Sequence, residues 1–226
     1  MKRLFWRSFA LSLALLVIVL PTNAFALPWG EAAYATNSTG GDTWAYGTFS
    51  RNWVMSQPHL DPGGKHVNSI YVRYDPQNII ELGWSRSDPE ESTNPQGFTV
   101  RSKNGSYEPV ALGAITEGQY ANFQINIVSG TYNFETWING VRMYTWTSCG
   151  FNFGKTRVGS ERVNGGSAGD SNYANFQELK YRNSSGAWGY WYHINDEYLV
   201  VSGKTQEDIW YDVIPNDARH SLYINN

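Results

Sequence analysis

The sequence predicts an all-β protein: an antiparallel β-sandwich of the jelly-roll kind, formed by a single domain. Of its 226 residues, 15% are aromatic and 22 are glycine, a composition that suits pleated strands joined by tight turns. Short segments in which apolar and polar residues alternate follow one another closely, separated by Gly, Pro and Asn. No amphipathic pattern of three or more helical turns interrupts them. Many short strands at close spacing are typical of a sandwich.

The N-terminus has the pattern of a signal peptide. Cations, an apolar core and a small-x-small cleavage pattern follow in order: Lys2, Arg3 and Arg7, then Phe9 to Leu20, then Ala24-Phe25-Ala26. We expect residues 1–26 to be removed and residues 27–226 to be secreted as one β-sandwich domain. A retained membrane anchor is the alternative, but the apolar core is short for a span. No later segment is apolar enough to enter a bilayer, so no membrane contact is expected after cleavage.

Charge and cysteine content exclude two further classes. Without the three leader cations, 14 Lys and Arg residues remain against 20 Asp and Glu residues, a net charge of −6. A nucleic-acid partner would favour a basic surface, so none is expected. Cys149 is the single cysteine, which excludes an intrachain disulfide. Because no histidine lies nearby in sequence, we interpret it as a packed thiol rather than a nucleophile.

Alternation and turn signals place the elements in order. The segments predicted as strands are 43–55 (one or two strands), 69–74, 78–85, 98–102, 107–112, 120–128, 131–138, 141–147, 155–163, 174–182, 188–193 and 198–202. Asp75 to Asn78, Asn104-Gly105 and Asn139-Gly140 are predicted as the turns of hairpins. The segments predicted as irregular or as loops are 29–39, 57–64, 86–97, 164–171 and the last dozen residues.

The strand at 78–85 carries a carboxylate within an apolar run. By alternation, Glu81 shares a face with Gly83. The opposite face is apolar and consists of Ile80, Leu82 and Trp84. Because burying an unpaired charge is costly, Glu81 must reach water, take a partner or hold a proton. The glycine leaves room beside it for a ligand or another backbone. The simpler alternative is a solvated glutamate on the wet face of an antiparallel strand.

The strand at 155–163 repeats this arrangement, because Glu161 shares a face with Gly159. Two strand glutamates, each beside a glycine, suggest a groove lined by carboxylates. At close approach, repulsion would raise one pKa and leave one shared proton. One carboxylate could then activate a water while the other donates a proton. The alternative is that Glu161 pairs with Arg157 on its own face or with a cation on a neighbouring strand.

Taken in order, these motifs resemble the neprosin family over residues 65 to 185. The matching segments are Ser69-Ile-Tyr-Val, Ile80-Glu-Leu-Gly-Trp84, Ala111-Leu-Gly, Tyr120, Phe123-Gln-Ile-Asn-Ile127, Trp137 and Val158-Gly-Ser-Glu161 followed by Val163. Neprosin-like proteins are glutamic peptidases on an antiparallel β-sandwich, active in acid and preferring to cleave after proline. The resemblance implies that Glu81 and Glu161 form a catalytic pair acting on a peptide or protein substrate.

Three features depart from that family's pattern. Its plant members carry cysteines between the motifs, whereas this chain has only Cys149. They usually carry an N-terminal propeptide domain, whereas little more than a lead-in separates the leader from the first predicted strand. Val158 and Ser160 stand where the family has tryptophan and glycine.

Other chemistries find less support. The histidines show no metal-ligand spacing and are interpreted as loop or surface residues: His59, His66, His193 and His220. No Gly-x-Ser-x-Gly elbow and no phosphate-binding Gly-x-x-x-x-Gly-Lys loop is present. We therefore expect neither a metal nor another cofactor.

The main rival is a non-catalytic carbohydrate-binding module that would take a polysaccharide. Aromatic platforms could stack on sugar rings, and the candidates are Trp188, Trp191 and Trp210. In a β protein such aromatics more often fill the core. A glycoside hydrolase using the same glutamates is less favoured, because no Glu-x-Asp-x-x-Glu strand is present.

Overall fold

The protein, seen in a computed structural model, is an antiparallel β-sandwich of two packed sheets, as predicted. The structure describes residues 30–37, 44–56, 64–87, 94–163, 173–191, 194–200, 209–213 and 220–225. The predicted signal peptide, residues 1–26, lies outside the described residues. So does the predicted loop at 164–171, together with most of the loop at 57–64 and half of the loop at 86–97. The described part of the chain contains no helix long and apolar enough to cross a membrane.

Fifteen strands make up the described structure. They are β1 (Gly30–Asn37), β2 (Gly47–Val54), β3 (Lys65–Asp75), β4 (Asn78–Ser87), β5 (Gln96–Lys103), β6 (Ser106–Ala114), β7 (Gln119–Ile127), β8 (Phe134–Ile138), β9 (Val141–Trp146), β10 (Lys155–Val163), β11 (Tyr173–Arg182), β12 (Trp188–Tyr190), β13 (Ile194–Val200), β14 (Ile209–Val213) and β15 (His220–Asn225). The first sheet has the order β13-β1-β10-β3-β4-β5-β6. The second has the order β14-β15-β11-β2-β7-β8-β9, with β12 paired to β11.

The predicted hairpins form as expected. Asn104 and Gly105 have φ angles of 50° and 79°, and Asn139 and Gly140 have φ angles of 49° and 78°. Two successive positive φ values are the signature of a type I′ turn, whose twist matches that of the flanking strands. These turns join β5 to β6 and β8 to β9. Local sequence therefore determines both connections.

Two predictions about the chain ends are wrong. Residues 29–39 were expected to be irregular, yet Gly30–Asn37 forms β1 between β10 and β13. The last dozen residues were expected to lack a pattern, yet His220–Asn225 forms β15 between β11 and β14. The segment of β1 is rich in alanine and has no clear alternation, so its strand signal is weak. Backbone pairing with strands distant in sequence makes it a strand.

The apolar core lies between the sheets and leaves the opposite face of the first sheet for other groups. Ile70, Leu82 and Val158 are in register across β3, β4 and β10, and all three are fully buried. They belong to the same cluster as Phe123 and Phe176 of the second sheet. Because side chains alternate along a strand, the residues next to these face away from the second sheet. We call that side of the first sheet its outer face.

Candidate active site

Glu81 and Glu161 both lie on the outer face of the first sheet. Glu81 is two residues from Gly83 on β4, and Glu161 is two residues from Gly159 on β10. Ser69 of β3 is in register with both glycines. A row of three small residues therefore separates the two positions, and the carboxylates start on opposite sides of it. The predicted sharing of one face by the two glutamates is what the register requires.

The two glycines allow close packing rather than leaving open space. A Cβ atom on Gly83 would lie 2.2 Å from the carbonyl oxygen of Asn68, so β3 and β4 need glycine there. A Cβ atom on Gly159 would lie 2.3 Å from Cδ1 of Tyr34 and 3.3 Å from Cε2 of Tyr71. The space beside Glu161 is thus filled by aromatic rings of neighbouring strands.

Those two tyrosines hold the Glu161 carboxylate. The Tyr34 hydroxyl donates a hydrogen bond to Oε1 of Glu161 at 2.5 Å, and the Tyr71 hydroxyl donates one to the same oxygen at 3.1 Å. Ser69 Oγ in turn donates to the Tyr71 hydroxyl at 2.6 Å. The network therefore holds the Glu161 side chain in one position on the outer face.

The environment of Glu81 favours the protonated form of its carboxyl group. Its side chain is only 6% exposed. Burial, followed by the negative charge of Glu161, raises the pKa of Glu81 from 4.5 to about 8. Hydrogen bonding with Ser69 and Tyr71 and the positive charge of Lys65 oppose this increase. Glu81 is therefore a protonated acid at neutral and acidic pH.

The Tyr71 hydroxyl connects the two carboxyl groups, because it bonds to Glu161 and also interacts with Glu81. Burial, and then the negative charges of Glu161 and Glu81, raise the pKa of Tyr71 well above 10. The same two first causes, burial and the Glu161 charge, raise the pKa of Tyr34 well above its usual value. Both phenols consequently remain donors at every pH at which the protein would work.

The alternative interpretation of the sequence paired Glu161 with Arg157, which lies on the same face of β10. Arg157 lies on the outer face in register with Tyr71, two residues from Gly159. Its guanidinium carbon is 3.5 Å from the centroid of the Tyr34 ring and 6.0 Å from that of Tyr71. Such cation–π contact fixes the rings from one side. Arg157 thus packs on the tyrosines that bond to Glu161.

A third tyrosine, Tyr107 of β6, also belongs to this face. It is in register with Ser102 of β5, which is in register with Ile79 of β4, two residues from Glu81. Tyr107 is 43% exposed. Partial burial, and then the negative charges of Glu81 and Glu161, raise the pKa of its phenol. Its hydroxyl therefore lies within the electrostatic field of both carboxyl groups.

The two glutamates were candidates from the sequence, whereas the tyrosines around them were not. Tyr71 could have been found, because it shares a strand face with Ser69 in a segment that alternates clearly. Tyr34 carried no such signal, since its segment was not expected to be a strand. Tyr107 lay on a predicted strand, but its proximity to Glu81 depends on the pairing of three strands.

Several other expectations can be compared with the structure. Trp191 is fully buried, so it cannot serve as an exposed platform for a sugar, whereas Trp188 is 40% exposed. The side chain of Trp210 lies outside what the structure describes. His66 was expected on a loop or surface but is buried on β3, with its ring centroid 5.4 Å from that of Trp84.

Cys149 is fully buried, in agreement with the packed thiol expected from the sequence. Burial raises the pKa of this thiol, which disfavours the reactive thiolate. Among the described residues, no three histidine, cysteine, aspartate or glutamate side chains are grouped in a way that could hold a metal ion.

No protein-family model matches the sequence, and no curated protein sequence matches it. Solved structures do match its fold. The chain is similar to scytalido-glutamic peptidase solved with a peptide-based transition-state analogue, with a TM-score of 0.55 and 11% identity. That match covers 85% of this chain and 96% of the peptidase.

The chain is also similar to SCP-B, a member of the eqolisin family of peptidases solved with the tripeptide Ala-Ile-His. Here the TM-score is 0.52 and the identity 13%, over 85% of this chain and 96% of SCP-B. A carbohydrate-binding module from Bacillus subtilis matches 59% of this chain and 78% of its own, at 10% identity and a TM-score of 0.39. That overlap is too small to support an argument. At these identities, the two peptidase matches establish a common sandwich fold.

Proposed function

We propose that this protein is a secreted glutamic peptidase of the neprosin-like kind, in which Glu81 and Glu161 act as a pair on peptide or protein substrates. The observation that carries the proposal is the Tyr71 hydroxyl, which bonds to Glu161 and interacts with Glu81 on one face of the sheet. The fold shared with two glutamic peptidases agrees with this function. The mature enzyme would be residues 27–226, one domain, with no cofactor.

The surroundings of each glutamate support a role for it in this proposal. Glu161 is the general base, because two tyrosine hydroxyls donate to its Oε1 and hold the side chain in one position. Among the described residues, both of these bonds end on Oε1, which leaves Oε2 to contact a water molecule. Glu81 is the general acid, because burial and the charge of Glu161 keep it protonated up to about pH 8. The raised pKa of Glu81 supplies the proton donor that acid–base catalysis requires.

The reaction proceeds in two steps. Glu161 takes a proton from water while the water oxygen forms a bond to the carbonyl carbon of the peptide. In the tetrahedral intermediate that results, the former carbonyl oxygen carries the negative charge. Glu81 then gives its proton to the amide nitrogen, the carbon–nitrogen bond breaks, and a carboxylic acid and an amine leave. Transfer of the proton from Glu161 back to Glu81 through solvent restores the pair.

The experiment compares the mature chain with Glu81→Gln and Glu161→Gln on proline-containing peptides between pH 3 and pH 9. Each single variant should lose most activity, and the double variant little more, because residues that act as a unit are not additive. Glu135→Gln is the matched control, since Glu135 forms an ion pair with Arg142 on the second sheet. Cleavage retained by Glu161→Gln would contradict the proposal.

A polysaccharide-binding module is the second candidate, and the exposure of Trp188 favours it. The Trp188 ring lies edge to face with Phe49 at 6.4 Å, on strands of the second sheet. An exposed indole supported by another ring can stack on a sugar. Affinity electrophoresis in gels containing soluble polysaccharides separates the two functions. Retardation that Trp188→Ala abolishes, in a protein without peptidase activity, would favour the module.

A further inference from the structure

Peptide hydrolysis by this pair needs a group that neither glutamate supplies. As water attacks, negative charge develops on the carbonyl oxygen, and a preorganised hydrogen-bond donor at that oxygen lowers the barrier. In the proposed reaction Glu161 is the base, which accepts a proton from water, and the proton of Glu81 is committed to the leaving nitrogen. Tyr34 and Tyr71 both donate to Glu161 Oε1. The donor must therefore come from elsewhere on the outer face.

Tyr107 lies on the outer face at a suitable separation. Ile79, Ser102 and Tyr107 are in register across β4, β5 and β6, and Ile79 is two residues from Glu81. Two strand spacings across the sheet and one two-residue step along it amount to about 12 Å between the Cα atoms of Tyr107 and Glu81. In a gap of this width a peptide group can lie between the two long side chains.

Exposure distinguishes Tyr107 from the other two tyrosines of the site. Tyr34 is 8% and Tyr71 is 4% exposed, whereas Tyr107 is 43% exposed and can touch a bound molecule. The carboxyl groups of Glu81 and Glu161 both act electrostatically on its phenol. Burial, followed by the charges that these carboxyl groups carry when ionised, raises the pKa of the Tyr107 phenol, so the phenol keeps the proton that a donor requires.

Resting on the function proposed above, we propose that Tyr107 is a third catalytic residue: its hydroxyl donates a hydrogen bond to the carbonyl oxygen of the scissile peptide and stabilises the oxyanion. The hydroxyl makes this bond without giving up its proton, so the transfers between water, Glu161, Glu81 and the leaving nitrogen are unchanged. A bond that strengthens as charge develops raises kcat rather than lowering KM.

The test measures kcat and KM for Tyr107→Phe, with Tyr132→Phe as the control. Tyr132 is 56% exposed and precedes β8 of the second sheet, so it reports the loss of a surface hydroxyl alone. We expect Tyr107→Phe to lower kcat on the order of 100-fold, as for other oxyanion donors, with KM little changed. Tyr132→Phe should match the wild type. Melting temperatures of both variants establish that they fold.

A binding measurement gives an independent readout. A peptide phosphinate, which imitates the tetrahedral oxyanion, should bind Tyr107→Phe more weakly by about the factor lost in kcat/KM. A substrate peptide, which variants without Glu161 should not cleave, should bind equally well to Glu161→Gln and to the double variant Tyr107→Phe, Glu161→Gln. A raised KM with unchanged kcat, or unchanged phosphinate affinity, would overturn the role of Tyr107. If Glu161→Gln remains active, the proposed function itself fails, and the two failures are thereby distinguished.

Discussion

The hydroxyl of Tyr34 donates a 2.5 Å hydrogen bond to Oε1 of Glu161, across 127 residues of sequence. The two residues are brought together by the antiparallel pairing of β1 with β10, in which Tyr34 is opposite Gly159. The missing Cβ of Gly159 lets the Tyr34 ring lie over β10 and reach the carboxylate. This hydrogen bond fixes the position of the Glu161 side chain.

Removing that bond should lower catalytic activity. Tyr34→Phe takes one donor from the Glu161 carboxylate, and a hydrogen bond to a charged group contributes about 1.5–3 kcal/mol. We expect kcat/KM to fall at least about tenfold, since 1.4 kcal/mol is a factor of ten.

Tyr144→Phe is the control for this change, since Tyr144 lies on β9 of the second sheet and packs on Trp146. A loss of activity that only follows a loss of folded protein, measured by thermal melts, would show that Tyr34 acts only on structure.

The basic limb of the wild-type pH–activity profile should depend on the protonation of Glu81. Activity is expected from acidic pH up to about pH 8, and to decline above it as Glu81 loses the proton that it must donate. Because the two carboxyl groups interact, the limb belongs to the pair rather than to one residue. A profile that falls to zero near pH 5 would mean that the acid is not held protonated by burial and by the Glu161 charge.

Glu81 should also make stability depend on pH. Its pKa is about 8 in the folded protein against 4.5 as the usual value, so between these pH values the folded state binds more protons than the unfolded state. The free energy of unfolding therefore falls as pH rises through this window, by up to a few kcal/mol at about 1.4 kcal/mol per pKa unit. Urea midpoints from pH 4 to pH 9 measure this decline.

Glu81→Gln removes the titrating group and should flatten the decline. The variant should resemble the wild type near pH 4, where Glu81 is neutral in both states, and be more stable near pH 9. Glu161→Gln should flatten it only in part, because burial is the larger cause of the raised pKa and the Glu161 charge the second. If the free energy of unfolding depends on pH in the same way in the wild type and in Glu81→Gln, the raised pKa does not belong to Glu81.

The two glycines beside the glutamates should respond differently to alanine. In Gly159→Ala the new methyl meets the Tyr34 ring at 2.3 Å, so the ring must move and its bond to Glu161 is lost. In Gly83→Ala the methyl meets backbone at 2.2 Å, which cannot yield without separating β3 from β4. We expect Gly159→Ala to lose activity more than stability, and Gly83→Ala to lower the melting temperature more. Activity assays and thermal melts of both variants measure these losses, and the opposite order would contradict the prediction.

Much of the fold and part of the site follow from the sequence alone. Alternation places Glu81 opposite the apolar face of Ile80, Leu82 and Trp84, and it places Glu161 on one face with Gly159, because successive side chains of a strand point in opposite directions. The two Asn-Gly turns follow from the ease with which these residues take positive φ. Cys149, which has no histidine nearby in sequence, was expected to be packed and is buried. All of these are local properties, and local sequence determines them.

What only the tertiary structure decided is which of these faces meet. The order β1-β10-β3-β4 brings Tyr34 and Glu161 towards Glu81, and it depends on pairing between strands far apart in the chain. An alanine-rich segment such as β1 has little strand preference of its own. It forms a strand because its backbone pairs with β10 on one side and with β13 on the other. The raised pKa of Glu81 has the same origin, because burial and the nearby charge exist only once the sheet has assembled.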